Sequence, residues 1–155
     1  MTDNTFHVRR VSADQLHELR RRVLRNDDPA IYHPDARDED ETSLHYGGLL
    51  GPRLVVSASF FPSPAPINST LITYQLRYMA TDFDVQGRGY GARVLAFAED
   101  DLGALGVEQV WANGRDTALG FYESVGWQRV DGSEHLSAET QLPHTVIFKL
   151  LVKDE

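Results

Sequence analysis

The feature that most constrains this 155-residue chain is the joint at residues 79–91, Met-Ala-Thr-Asp-Phe-Asp-Val-Gln-Gly-Arg-Gly-Tyr-Gly. Its three glycines, Gly87, Gly89 and Gly91, stand at every second position. An apolar, strand-like run precedes them, and a long amphipathic, helix-like run follows. Glycine is unfavourable inside either element. The joint therefore predicts a strand, a tight glycine-rich turn, and a helix that begins directly after the turn.

Such a joint can bind an anion. A helix start presents N–H groups without intrahelical acceptors and the positive end of the helix dipole. Glycines allow an anion to approach the backbone closely. Because a hydrogen bond to a charged group is worth roughly 1.5–3 kcal/mol, three or four amides could hold a pyrophosphate without a lysine. The alternative is a tight turn that only connects the strand to the helix.

Three phosphate-binding motifs compete for this turn. The Walker motif is excluded, because no Gly-Lys-Ser or Gly-Lys-Thr occurs in the chain. A relaxed dinucleotide fingerprint, Gly-x-Gly-x-x-Ala, matches Gly87, Gly89 and Ala92. That fingerprint belongs near a first strand, with an acidic residue ending the next one, whereas here the next strand ends in Trp-Ala-Asn at residues 111–113. It stays an alternative to the third motif, Gln-x-x-Gly-x-Gly at residues 86–91.

Hydrophobic periodicity predicts one domain, residues 1–155, with the element order β-α-β-β-β-α-β-α-β-β. The predicted strands cover residues 6–11, 44–50, 54–61, 70–81 and 107–112, one beginning at Val130, and 145–152. The predicted helices run from a capping box at Ser12 and Gln15 to about Arg25, from Gly89 to about Leu105, and from Thr117 to about Val125. This order indicates an α/β (α+β) class with a mixed sheet and helices packed on it.

Composition narrows the functional class. The formal charge of −8 argues against a nucleic-acid partner, which needs many Lys and Arg contacts to phosphates. An acidic surface would attract cationic partners such as amines, although solubility alone also explains it. The absence of cysteine excludes disulfides, thiolate metal sites and a cysteine nucleophile. No apolar run reaches the length of a membrane span, and the N-terminus lacks a secretory signal pattern, so we expect a cytoplasmic protein without a membrane partner.

Residues 26–43 are polar and contain the acidic run Asp38-Glu39-Asp40-Glu41. Two interpretations fit such a segment. It is either a solvated loop, which we favour, or a loop close to a substrate pocket.

Two segments and the element order together resemble one family. Residues 86–91, Gln-Gly-Arg-Gly-Tyr-Gly, follow a strand at residues 77–82 and are similar to the acetyl-CoA motif of the GCN5-related N-acetyltransferase (GNAT) superfamily. Residues 117–127, Thr-Ala-Leu-Gly-Phe-Tyr-Glu-Ser-Val-Gly-Trp, are similar to that family's Ala-x-x-Phe-Tyr-Glu-x-x-Gly-Phe segment. The resemblance covers nearly the whole chain.

The resemblance implies a mixed, mostly antiparallel sheet of about seven strands, flanked by helices and splayed between the fourth and fifth strands. It also implies acetyl-CoA as co-substrate, with the glycine turn around its pyrophosphate and the end of the preceding strand paired with its pantetheine arm. An amide at the end of that strand would also stabilise the oxyanion of the reaction. The cofactor-binding residues implied in this way are Met79, Ala80, Thr81, Gln86, Gly87, Arg88, Gly89, Tyr90, Gly91, Ala92, Asn113 and Tyr122.

By the same resemblance, Tyr122 is the general acid that protonates the departing thiolate. The alternative is a half-buried tyrosine that packs its helix on the sheet, and Phe121 beside it is expected in the core. Many relatives carry an asparagine seven residues before this tyrosine. Here that position is Arg115, so we expect Asn113, or Arg115 itself, to contact the cofactor.

The acceptor side is less defined. The amine must lose a proton, directly or through water, and the candidate bases are His45, Tyr74, Glu134, His135 and His144. The scattered histidines lack ligand spacing, so no metal is expected. The acceptor would be an amine on a small molecule or a peptide, and many relatives are homodimers. A rival interpretation is a non-catalytic acyl-CoA-binding sensor or interaction module with the same fold.

Overall fold

The computed structural model describes residues 5–67 and 69–151, and these contain eight strands and three α-helices. The strands are β1 (Phe6–Arg10), β2 (Leu44–Leu50), β3 (Arg53–Pro62), β4 (Thr73–Thr81), β5 (Gln109–Arg115), β6 (Gln128–Arg129), β7 (His135–Leu136) and β8 (Pro143–Leu150). The helices are α1 (His17–Leu24), α2 (Tyr90–Ala104) and α3 (Leu119–Ser124). The order confirms the predicted one and adds a short strand, β7.

Each helix follows a single turn of 3-10 helix, at Ala13–Gln15, Phe83–Val85 and Asp116–Ala118. The predicted capping box before α1 is confirmed, because the Ser12 amide donates to the Gln15 side-chain oxygen at 3.0 Å. Such a cap satisfies backbone groups that a helix start leaves without partners.

The chain divides into two compact units. Unit 1 holds the residues up to Pro62 together with Leu76–Asp101, and unit 2 holds Ser63–Gln75 together with the chain from Leu102 onward. Strand β4 and helix α2 therefore each contribute one end to unit 1 and the other end to unit 2. The single domain predicted for residues 1–155 stays a prediction.

Unit 1 is built on antiparallel strands. Strand β1 pairs with β2 from Phe6↔Leu50 to Arg10↔Tyr46, and β2 pairs with β3 from Leu44↔Phe60 to Leu50↔Arg53. Two glycines of β2 allow close packing. A Cβ at Gly48 would lie 2.6 Å from the Phe6 ring and 2.9 Å from Val94 of α2. Glycine at this position thus lets β1 and α2 both pack directly on β2.

Unit 2 contains the parallel pair of the sheet. Thr73–Gln75 of β4 pairs with residues 109–111 of β5, and β5 runs antiparallel to β8 from Gln109↔Leu150 to Arg115↔His144. Strands β6 and β7 also pair with β8. The strand order β1-β2-β3-β4-β5-β8-β6 confirms the predicted mixed, mostly antiparallel sheet. The parallel pairing spans three residues of each strand.

Some element bounds differ from the prediction. Strand β5 continues through Asn113 and Gly114 to Arg115, beyond the predicted end at residue 112, because its ladder with β8 continues to His144. Glycine suits this position, since a Cβ at Gly114 would lie 3.0 Å from both Ile147 and Leu119. Val130 lies just after β6 rather than opening a strand, and Val152 lies outside the described residues.

Candidate active site

The turn between β4 and α2 has the predicted form. Gly87 and Gly89 have φ angles of +82° and +79°, a left-handed conformation that side chains other than glycine rarely adopt. A Cβ at either position would meet no atom within 4 Å. The alternation of glycines is thus required by backbone conformation at these two positions, and the space beside them is open.

The helix that follows provides unpaired donors. Helix α2 begins at Tyr90, and its first turn carries no acidic residue. Arg93 N–H donates to the Gly89 carbonyl at 3.3 Å. The amides of residues 90–92 precede this first helical bond, so they have no acceptor within the helix. Together with the helix dipole, these amides make the turn suitable for an anion.

Acidic residues just before the turn are neutralised by arginines. Asp82 accepts two hydrogen bonds from Arg22, at 2.7 and 2.8 Å, and one from Arg53 at 3.1 Å. Arg53 also donates to Asp84 at 2.6 Å. The hydrogen bonds from Arg22 are the main reason that the pKa of Asp82 is lowered to about 2. These carboxylates therefore oppose an incoming anion much less than unpaired ones would.

The other side chains of the turn have distinct roles. Gln86 donates through its side-chain amide to the Thr81 carbonyl at 3.1 Å, which ties the two ends of the 3-10 segment together. The Tyr90 ring stacks on Phe6 with centroids 4.0 Å apart. Tyr90 and Gln86 thus hold the turn in place, and Arg88 is exposed on it. Of the β4 residues implied for the pantetheine arm, Ala80 is buried, and Met79 and Thr81 are half-buried.

Tyr122 lies in unit 2, on the six-residue helix α3. Its side chain is 7% exposed and contacts the rings of Phe121 and Trp127, at centroid distances of 5.2 and 5.5 Å. Burial raises the pKa of Tyr122 above that of a free phenol, so the hydroxyl stays protonated at neutral pH. Phe121, expected in the core, is 36% exposed, because it lies on the opposite side of this short helix from the buried Leu119 and Tyr122.

Asn113 and Arg115 both lie on β5, at exposed positions of the ladder opposite Val146 and His144. Both belong to unit 2, as does Tyr122. The remaining implied cofactor residues form one segment of unit 1, from the end of β4 to the first turn of α2.

His45 is a poor candidate for the general base. Its Nε2 lies 2.9 Å from the Asp38 carbonyl and must donate to it, while its Nδ1 lies 2.7 Å from the Ser59 hydroxyl. Burial is the main reason that its pKa is lowered. Both ring nitrogens of the neutral side chain are therefore engaged inside unit 1. Asp38 itself is buried and pairs with the fully buried Arg20 at 2.9 Å, so the expected solvated loop is wrong at this residue.

The other candidate bases lie in unit 2. Burial raises the pKa of Tyr74, which keeps its phenol protonated. Glu134 is exposed. His135 and His144 occupy paired positions of β7 and β8, with ring centroids 6.1 Å apart. Each ring places Nδ1 2.8 Å from a backbone carbonyl, of Ser133 and Leu142 respectively. Because a carbonyl can only accept, each Nδ1 carries the proton, and in the neutral ring the lone pair is on Nε2.

Two features are absent from residues 5–67 and 69–151. No group of three or more His, Cys, Asp or Glu side chains that could hold a metal ion is found there. No helix in the same part of the chain is long and apolar enough to cross a membrane.

Comparison with known proteins agrees with this geometry. The model of the acetyltransferase (GNAT) family matches residues 12–127. The uncharacterized N-acetyltransferase YitI of Bacillus subtilis (strain 168) is 31% identical over 146 residues, which cover 94% of this chain and 97% of that protein.

Solved structures share the fold. An aminoglycoside 6'-N-acetyltransferase complexed with coenzyme A superposes with a TM-score of 0.72 at 14% identity, covering 96% of this chain and 99% of that one. The ribosomal-protein-S18-alanine N-acetyltransferase from Escherichia coli gives a TM-score of 0.71 at 15% identity, covering 97% of each chain. The chain therefore belongs to the acetyltransferase (GNAT) family and is an acetyl-CoA-dependent N-acetyltransferase.

Proposed function

We propose that the protein binds acetyl-CoA through the glycine turn and transfers the acetyl group by direct attack of an amine within a ternary complex. The observation that carries this proposal is the turn itself. Gly87 and Gly89 are left-handed with open space beside them, and the helix amides that follow have no acceptor within the helix. A pyrophosphate has the charge and the acceptor oxygens that such amides need.

In this proposal the protein holds the cofactor mainly with its backbone. The amides of residues 87–92 bind the pyrophosphate, and the backbone of Met79, Ala80 and Thr81 pairs with the pantetheine arm. The pairing of Asp82 and Asp84 with Arg22 and Arg53 supports the assignment, since it removes most of the repulsion that unpaired carboxylates would exert. Asn113 is the proposed contact from β5.

Tyr122 is the proposed general acid. A departing thiolate needs a proton, and the Tyr122 hydroxyl, which burial keeps protonated at neutral pH by raising its pKa, is the proposed source. The cysteine-free chain offers no cysteine nucleophile for a covalent intermediate, which supports direct transfer.

The proposed general base is His135, with His144 as its neighbour. Both rings hold Nδ1–H on a backbone carbonyl, so that Nε2 is the nitrogen able to take the proton of the amine. His135→Gln and His144→Gln variants test this assignment through the pH profile of kcat/KM, whose acid limb reports the base of the free enzyme. Retention of that limb in both variants would reject the two histidines.

We propose a primary amine on a small molecule or on a peptide as the acceptor. Named structural relatives act on each kind: one on an aminoglycoside, the other on an alanine of ribosomal protein S18. The net charge of −8 supports a cationic acceptor over an acidic one. We also propose a cytoplasmic homodimer, to be tested by cell fractionation and by light scattering of the purified protein.

Thermal unfolding with acetyl-CoA, NADH and ATP in parallel tests the cofactor assignment. Ligand that binds only the folded state stabilises it by about 2.7 kcal/mol when present at 100 times its Kd. We expect a higher midpoint with acetyl-CoA alone, and an amine screen with thiol detection then identifies the acceptor. A higher unfolding midpoint with NADH instead would favour the dinucleotide fingerprint. An unchanged midpoint with all three ligands would remove the main support for this site.

A further inference from the structure

Tyr78 has a backbone conformation that its position in a strand does not explain. Its φ angle is +59°. The other described non-glycine residues with positive φ, namely Asn26, Asp27 and Gln141, lie in turns or loops, whereas Tyr78 lies inside β4. A bulky residue in the left-handed region is strained, and such outliers persist only where their surroundings hold them. Tyr78 directly precedes Met79, Ala80 and Thr81, the residues proposed for the pantetheine arm.

The side chain of Tyr78 is held from several directions within unit 1. Its hydroxyl donates to Asp35 Oδ2 at 2.9 Å. The guanidinium groups of Arg20 and Arg77 lie over its ring, at 4.5 and 4.7 Å from the centroid. Its carbonyl accepts a hydrogen bond from the Ser57 hydroxyl at 3.0 Å. We call this set of contacts the Tyr78 clamp.

The residues of the clamp are themselves fixed. Arg37 binds both carboxylate oxygens of Asp35, each at 3.0 Å. Although burial of Asp35 opposes ionisation, the hydrogen bonds from Arg37 hold its pKa well below the usual range. Arg20 is fully buried, and its guanidinium donates to both Asp38 and Ser59. The loop that carries Asp35 and Asp38 is thereby tied to α1, β3 and β4.

A left-handed residue redirects the chain that follows it. In a regular strand, N–H and C=O groups alternate between the two neighbouring strands. An irregularity of one residue in a strand bends it and re-aims the groups next to it, and such features are common beside active sites. The parallel ladder of β4 with β5 ends at Gln75, three residues before Tyr78.

We propose that Tyr78 is a positioning residue, and that the Tyr78 clamp holds the left-handed turn in β4 so that the backbone of residues 79–81 is presented to the pantetheine arm. The inference rests on the proposed acetyl-CoA site. It also gives residues 26–43 a role, because Asp35 of this loop supports a strand that binds the cofactor.

Tyr78→Phe tests the clamp with the smallest change, since it removes the hydroxyl bond to Asp35 and keeps the ring. If the variant lowers the fraction of molecules with the correct β4 backbone, the apparent Kd rises in inverse proportion to that fraction. We expect the Kd of acetyl-CoA, measured by titration calorimetry, to rise roughly 5- to 20-fold. The KM of the amine should change less than the KM of acetyl-CoA.

Tyr46→Phe is the matched control. Tyr46 donates its hydroxyl to an aspartate as well, Asp101 at 2.7 Å, and it lies on β2 rather than on β4. We expect a loss of thermal stability similar to that of Tyr78→Phe, with a Kd of acetyl-CoA close to that of the wild type. An equal Kd in both variants and the wild type would overturn the clamp.

A second pair of variants, Tyr78→Gly and Tyr78→Ala, distinguishes an effect of the backbone conformation at residue 78 on affinity from a general loss of stability. Both remove the side-chain contacts of the clamp, but glycine adopts positive φ without strain. We expect the glycine variant to bind acetyl-CoA roughly threefold or more tightly than the alanine variant, although glycine is the less favourable residue in a strand. Equal affinities would contradict the proposal. If the wild type itself failed to bind acetyl-CoA, the proposed function would fall and the clamp with it.

Discussion

The turn at residues 86–91 presents backbone groups to a ligand, whereas the helix around Tyr122 presents a side chain. In the turn the backbone is accessible: Gly87 and Gly89 face open space, and the amides that follow have no helical acceptor. Around Tyr122 the backbone is within a helix, and one hydroxyl on a 7%-exposed side chain carries the proposed chemistry. The first region suits binding of a charged group, and the second suits transfer of a proton.

This difference predicts different sensitivities to substitution. In the turn, several backbone amides would together bind the charge of the anion. Binding there should therefore depend on backbone conformation more than on any one side chain. Proton transfer depends on one atom of one residue. Turnover should therefore respond most to Tyr122, and affinity most to the glycines with positive φ.

The largest expected effect comes from Tyr122→Phe, which removes the hydroxyl and keeps the buried ring. We expect turnover to fall by roughly 10²–10⁴-fold if Tyr122 is the general acid, with the Kd of acetyl-CoA nearly unchanged. Steady-state kinetics and calorimetry measure the two quantities. Phe121→Leu, at the exposed neighbouring ring, is the control. A loss below about tenfold would assign Tyr122 to packing instead.

Gly89→Val should affect binding rather than chemistry. Valine is β-branched and strongly disfavours the φ of +79° found there, so the turn must change shape and its amides must move. Loss of one or two such bonds at roughly 1.5–3 kcal/mol each predicts a Kd at least about tenfold higher. Gly103→Val is the control, because a Cβ at Gly103 also meets no atom within 4 Å, and its φ lies outside the left-handed region. Equal effects of the two variants would contradict the role of backbone conformation.

The smallest effect is expected from Arg22→Gln, which tests the electrostatics of the turn. Without Arg22, Asp82 loses its two-bond ion pair and keeps the bonds from Arg53 and from the Phe83 amide, so its negative charge is less well balanced. We expect the Kd of acetyl-CoA to rise roughly threefold at low salt and less at high salt, since salt screens the repulsion. Arg21→Gln is the control, because Arg21 lies on the same helix as Arg22 and pairs with Asp27, which follows the end of that helix. A rise that is independent of salt would point to a change in structure.

Local patterns predicted much of the fold and part of the site. The glycine turn, the start of α2 and the strands β2 and β3 follow from neighbouring residues, and the structure has all of them near the expected positions. The capping box at Ser12 is also local and is present. The predicted loop at residues 26–43 was interpreted less well, because the burial of Asp38 depends on Arg20, which lies 18 positions away.

The contacts that the sequence did not reveal are long-range. Arg22 lies 60 positions from Asp82, and Asp35 lies 43 positions from Tyr78. Charge patterning cannot select these pairs among the 15 Lys and Arg and the 23 Asp and Glu of the chain. The exposure of Phe121 was missed for a similar reason, since the buried face of a six-residue helix depends on what packs against it.

By itself, the sequence determined the family, the element order and the backbone turn that suits a pyrophosphate, because glycine spacing and hydrophobic period act within a few residues. Only the tertiary structure decided which charges meet and which are buried, and that Tyr78 takes a left-handed conformation inside a strand. That conformation is unfavourable for an isolated tyrosine, and in the proposed clamp the contacts of the side chain with Asp35, Arg20 and Arg77 hold it. Local conformational preference predicts the residues that adopt favourable backbone angles. Residues with unfavourable backbone angles require contacts that form only on folding.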